Sequence, residues 1–231
     1  MLGIWNDLRV APDIRRAPSL DEVRRYHLDR LNQALRRPSM WGRELSIGLL
    51  MDDVAFVDGT GELWKQEQDD LRVRGAFNAL GVHGAFTAIL PSYRDDGAAV
   101  ASVYADIAWR LGWLTVDRTL PDDEHQQLSA ETDRWSGRDR RLDEIVAELG
   151  PPSVLFGGSN PRYAKTLAYA AASGAGGLVC LHFASTYDWN APQPQPEAQP
   201  VLVAARYGTG AFADTFTFTP AGSAYRHDRE V

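Results

Sequence analysis

Hydrophobic residues in this chain change their spacing near Gly150, and that change limits the folds open to it. Before it, apolar positions recur at three- and four-residue intervals, as one face of a helix demands. After it, short apolar runs and two-residue alternation take over. A helix buries a stripe and a strand buries alternate residues, so helices come first and strands later. Few β-α-β alternations are visible. The order predicts an α+β fold, a mainly helical N-terminal part followed by a mixed or antiparallel sheet in the C-terminal part.

The local signals give the elements. Ser19-Leu20-Asp21-Glu22 has the spacing of a capping box, and Leu20, Val23, His27, Leu31 and Leu35 follow at helical intervals, which predicts a helix to about Arg37. Pro38 stops it. A second helix is expected over Arg43 to Val57, with Gly59 as a left-handed cap. The glycine-interrupted stretch from Gly61 to Pro91 has no clear period and is left unassigned. A helical stripe returns from Val100 to Leu111, Trp113 to Val116 reads as a short strand, and further helices open near Thr119 and around Leu142. Val154-Leu155-Phe156 then reads as a strand, Arg162 to Ala172 as a helix, and Leu178 to Phe183, Val201 to Tyr207 and Phe212 to Thr219 as three more strands.

With 231 residues and 44% apolar content, one compact unit over 1–231 is expected, divisible into helical 1–150, strand-rich 151–223 and a loose charged tail, 224–231. No run approaches the roughly 18 apolar residues of a membrane span. The single cysteine, Cys180, allows no intramolecular disulfide, and the N-terminus lacks signal-peptide order, so a cytoplasmic location is expected. A formal charge of -7 argues against general nucleic-acid binding, which needs a basic face.

The candidate site is the segment Gly157-Gly158-Ser159-Asn160-Pro161. Strand, glycine turn and helix in that order expose backbone amides to an anion, with Arg162 and Lys165 close by. The plainer alternative is that Ser159 or Asn160 caps the helix and Pro161 takes its first position. Ser159 as a nucleophile with Asp188 or Asp214 and His227 fits the serine, acid, histidine order of α/β-hydrolases. Pro161 in place of the elbow glycine and the missing parallel strands argue against it, so no catalytic residue is assigned. Cys180 and His182 share one face of a strand, as a buried cysteine beside a core histidine or as a polar site; His182 is kept as a ligand candidate. His27, His83 and His125 are dispersed, no metal site or cofactor is expected, and the acid pairs such as Asp52-Asp53 and Asp95-Asp96 read as solvated charge. Tyr187, Asp188 and Trp189 have the composition of a recognition loop for a protein partner.

Arg37-Pro38-Ser39-Met40-Trp41-Gly42, following an amphipathic helix, resembles the R-P-x-M-x-G opening of uncharacterised, immunity-like bacterial proteins, some of them partners of secreted toxins. The resemblance covers the first helix pair. It implies a non-catalytic recognition protein that binds a protein partner, and a basic partner would suit the acidic charge. The alternative is a small-molecule enzyme or ligand-binding protein that holds an anionic group at the turn from Gly157 to Pro161.

Overall fold

The computed structural model describes residues 18–93, 96–188, 195–196 and 198–226. The first helix, α1 (Leu20–Arg36), starts at the expected capping box: Ser19 Oγ accepts from the Glu22 amide, and the Glu22 carboxylate accepts from the Ser19 amide at 2.7 Å. A 3₁₀ turn, Pro38–Met40, leads into α2 (Arg43–Asp58), which ends on Gly59 with φ 67°. The stretch without a clear period holds α3 (Gly61–Val73) and α4 (Gly81–Ile89). Gly75 and Gly81, both at positive φ, end and begin them, which is why the helical period breaks there. The long buried helix α5 (Gly97–Arg110) follows, then α6 (Asp122–Ala130), α7 (Thr132–Ser136) and α8 (Leu142–Leu149).

The strands are β1 (Val154–Phe156), β2 (Lys165–Tyr169), β3 (Val179–Ala184), β4 (Tyr187–Asp188), β5 (Gln195–Pro196), β6 (Val201–Arg206) and β7 (Phe216–Phe218), before a final turn of helix, α9 (Pro220–Ala224). A five-stranded sheet has the order β1-β2-β3-β6-β7, antiparallel throughout, and β4 and β5 form a separate pair. The fold is α+β, with its helices mostly N-terminal and its sheet C-terminal.

Both faces of the sheet are covered. On one, Ala168, Ala170, Cys180 and Ala204 join a core with α1, α2 and α5; on the other, Leu167, Tyr169, Val179, Leu181 and Phe183 pack against Leu128, Trp135 and Ile145 of α6, α7 and α8. Strand β3 is therefore buried at every residue, as a strand with two covered faces must be. Leu202 and Ala204 pair with consecutive residues of β3, so Val203 bulges, and Thr219 at the start of α9 docks there through its hydroxyl to Leu202 O at 2.7 Å.

Three local expectations are corrected. The helix expected over Arg162 to Ala172 is strand β2: its alanines read as helix formers, but Ala168 and Ala170 are the small residues beneath α5 that let helix and sheet approach. The strand expected at Trp113 to Val116 is an irregular connection whose backbone pairs with a side chain. Asn32 Nδ2 donates to Trp113 O at 2.8 Å, and its Oδ1 accepts from the Thr115 amide at 2.7 Å, satisfying groups a neighbouring strand would otherwise take. Phe212 to Thr215 forms a 3₁₀ turn, closed by Thr215 Oγ1 donating to Phe212 O, so only Phe216–Phe218 joins the sheet.

Candidate functional site

The segment from Gly157 to Pro161 links β1 to β2 as a hairpin turn, so the premise of a helix N-terminus falls. Gly157 has φ 104°, and a side chain there would press on Ala164 O, so glycine is required by the turn. Asn160 Oδ1 accepts from the Arg162 amide at 3.1 Å. Lys165 is buried and donates to the turn's own carbonyls, Asn160 O at 2.7 Å and Gly158 O at 3.3 Å, and burial pushes its pKa down. The lysine thus braces the hairpin, while Ser159 and Arg162 stay exposed. His182 is fully buried on the α5 face of the sheet, its Nδ1 2.9 Å from Thr166 Oγ1 and its ring against Phe86 and Phe216. By strand alternation Lys165 lies with Leu167 and Tyr169 on the opposite face, so the sheet separates these two candidates. Tyr187 and Asp188 lie on β4, and Trp189 falls outside the described residues.

A different place gathers polar groups in an apolar hollow. Helices α2, α3, α4 and α5 enclose a cleft of about 610 Å³, walled by Leu45, Leu49, Leu71, Phe77, Val100 and the aromatic faces of Trp64 and Tyr104. Its geometry begins in the sequence that carries the R-P-x-M-x-G motif. Gly42 sits at φ 87° and Arg43 at φ 59°, the latter the one non-glycine residue at positive φ among the described residues. A side chain at Gly42 would strike Ser46 Oγ at 2.3 Å. Two left-handed residues in succession turn the chain sharply into α2 and place Glu44 inside the cleft.

Glu44 caps another helix at long range. Leu80, at the cap position of α4, offers no side-chain acceptor, and Glu44 takes the first amides instead: Oε1 accepts from Val82 N at 2.6 Å and Oε2 from His83 N at 2.9 Å. Its Oε1 also accepts from the Tyr104 hydroxyl at 2.8 Å. Burial, followed by the Glu44 charge, pushes the Tyr104 pKa up, so the phenol remains a neutral donor. Asp52 accepts from Trp64 Nε1 at 2.6 Å. Asp96, only 3% exposed, lies 2.5 Å from His83 Nδ1, and burial raises its pKa against the opposing pull of His83.

His83 stands half-exposed on the cleft wall. With Nδ1 taken by Asp96, Nε2 is the ring atom left to meet a ligand, and the carboxylate sets the ring's orientation. The pair can hold or accept a proton at that point. Among the described residues, no three His, Cys, Asp or Glu side chains are grouped so as to hold a metal ion.

Sequence reasoning missed this site because its residues come from four helices. Asp52 and Asp96 were each one of an acidic pair, and a charged pair on a helix usually has one solvated member. Asp53, the neighbour of Asp52, is indeed outward beside His27 at 3.4 Å. The one available signal was the absence of a capping residue before α4, which requires an acceptor from elsewhere. No protein-family model matches the chain, and no curated protein or solved structure shows similarity to it.

Proposed function

We propose that the protein binds a small organic cation, an apolar amine, in the cleft between α2, α3, α4 and α5. One observation carries the reading: Glu44, Asp52 and Asp96 converge on an aromatic-lined hollow, and their hydrogen-bond donors there are amides, a phenol, an indole and an imidazole. These donors orient the carboxylates; the Arg43 guanidinium, also in the wall, acts on Asp96, while among the described residues Glu44 and Asp52 form no ion pair with a guanidinium or ammonium. Arg72, also in the wall, pairs with Asp69 and lies over Phe77. The negative charge of Glu44 and Asp52 beside Trp64, Tyr104 and Phe77 favours a cation, which gains from both carboxylates and the ring faces.

A matched pair of probes tests this. 2-Phenylethylamine is expected to raise the unfolding temperature, and 2-phenylethanol, with the same skeleton and no charge, to do so much less. Asp52→Asn keeps an acceptor for Trp64 but removes a charge, and is expected to weaken amine binding by roughly tenfold, about 1.4 kcal/mol. Equal responses to the amine and the alcohol would overturn the reading.

A second reading places the cationic group on a protein partner, as the immunity-like resemblance implies. Its support is the rim, where Leu45, Leu49 and Leu80 are 74%, 57% and 74% exposed, the composition of a docking edge rather than of a solvated one. A lysine-bearing apolar peptide that binds more tightly than the free amine, and displaces it, favours this partner reading; an amine that no such peptide displaces favours the small molecule.

A further inference from the structure

A second cleft, about 780 Å³, opens on the other side of α3 and α5, where Asp106 and Arg110 of α5 and the following Leu111 meet the glycine-rich turn at Gly174, Gly176 and Gly177. At its wall stands Arg206, the last residue of β6, 3% exposed. Its Nη2 donates to Ser102 O at 3.2 Å, to Ser102 Oγ at 3.3 Å and to Cys180 Sγ at 3.2 Å. Its Nε is buried with no hydrogen-bond partner among the described residues. A guanidinium stays charged under all ordinary conditions, and a buried charge needs a counter-charge or many hydrogen bonds to offset its lost hydration.

The acids of the same wall do not supply that counter-charge directly. Asp70 pairs with Arg74 at 3.5 Å, and Glu67 pairs with Arg110 at 2.5 Å. Asp106 has one oxygen on Arg110 at 3.0 Å and the other on the Leu178 amide at 2.7 Å. Among the described residues, three arginines and three carboxylates line the cleft, and of these arginines Arg206 alone is bound only to neutral groups. Around it, Gly176 at φ 75° and Gly208 at φ 120° expose backbone without side chains, which lets a ligand approach closely.

We propose that this cleft is an oxyanion site in which Arg206 holds a phosphate or carboxylate group of a small ligand. A planar guanidinium whose Nε–H has no partner among the described residues matches such a group, and the buried setting strengthens the attraction relative to water. The site is independent of the amine cleft, sharing with it only the helices α3 and α5 as a partition.

Calorimetric titration of the intact protein with inorganic phosphate, and separately with acetate, tests it, each against sodium chloride at equal ionic strength. Saturable binding of one equivalent of either anion is expected, and which one binds identifies the group. Arg206→Gln is expected to weaken it at least tenfold. Because Arg206 also braces α5 on the sheet, a second variant works from the rim: Thr209 is exposed at the mouth, so Thr209→Glu is expected to weaken binding several-fold while Thr209→Gln leaves it unchanged. Heats no larger than those of chloride for both anions, or a folded Thr209→Glu variant that binds like the wild type, overturn the proposal.

Discussion

Replacing Glu44 with alanine tests the structural logic of the first cleft most severely, since one carboxylate there serves two helices. The substitution removes the acceptors of the Val82 and His83 amides at the start of α4 and of the Tyr104 hydroxyl on α5. Hydrogen bonds to a charged acceptor contribute about 1.5–3 kcal/mol each, and the partial exposure of Glu44 places both amide bonds near the low end of that range. The phenol of Tyr104, 4% exposed, is left without its acceptor, which costs about another 1 kcal/mol. Together these losses come to about 4 kcal/mol, a large part of the roughly 5–15 kcal/mol typical of a domain. Equilibrium urea unfolding measures the sum, and a cycle with Tyr104→Phe isolates the shared part. Deleting the phenol as well removes the orphaned hydroxyl, so the double variant is expected to be more stable than additivity gives by about 1 kcal/mol. A Glu44→Ala cost below about 1 kcal/mol would refute the long-range cap, and strict additivity with Tyr104→Phe would refute the bond to the phenol.

Two further outcomes follow from the packing around His182 and Gly222. Burial, reinforced by Arg206, holds the His182 pKa well below 6.5, so the unfolded chain binds a proton there that the folded chain refuses. Stability is therefore complete above pH 6.5 and falls as pH drops toward the folded value, by at most about 1.4 kcal/mol per pH unit; a pH series of urea midpoints in which His182→Gln keeps the full wild-type slope would contradict this. Gly222→Ala is expected to cost more than about 3 kcal/mol or to prevent folding, because its Cβ would lie 1.7 Å from Val203 O at the bulge, whereas Gly48→Ala, with nothing within 4 Å, is expected to be neutral or stabilising; thermal unfolding of the two variants compares them.

What could be read along the chain, and what could not, divides by the range of the forces involved. The capping box at Ser19 and the stop at Gly59 act over four residues, and α1 and α2 ran as their spacing predicted. The alanine-rich stretch after Pro161 failed because propensity favours a helix there while a distant element, α5, demands small residues on a strand. The turn from Gly157 to Pro161 was located, but it was expected to open a helix and to expose its amides to an anion, and which backbone groups it presents depends on whether helix or strand comes next. In the same way, Asn32 stands in for a strand partner across more than 80 residues, which no local pattern announces.

By itself the sequence determined the class of the fold: helical period before Gly150 and alternation after it restrict the chain to helices packed on a late sheet. It also determined where chain direction must change, because only glycine relieves the steric cost at positions such as Gly42 and Gly157. Only the tertiary structure decided which charges face inward together. Glu44, Asp52, His83 and Asp96 meet because α2, α4 and α5 pack around a hollow, and Arg206 is stripped of water because α5 covers the sheet. Burial and convergence are properties of packed elements, summed over contacts far apart in sequence, so a charge's neighbours exist only once the chain has folded.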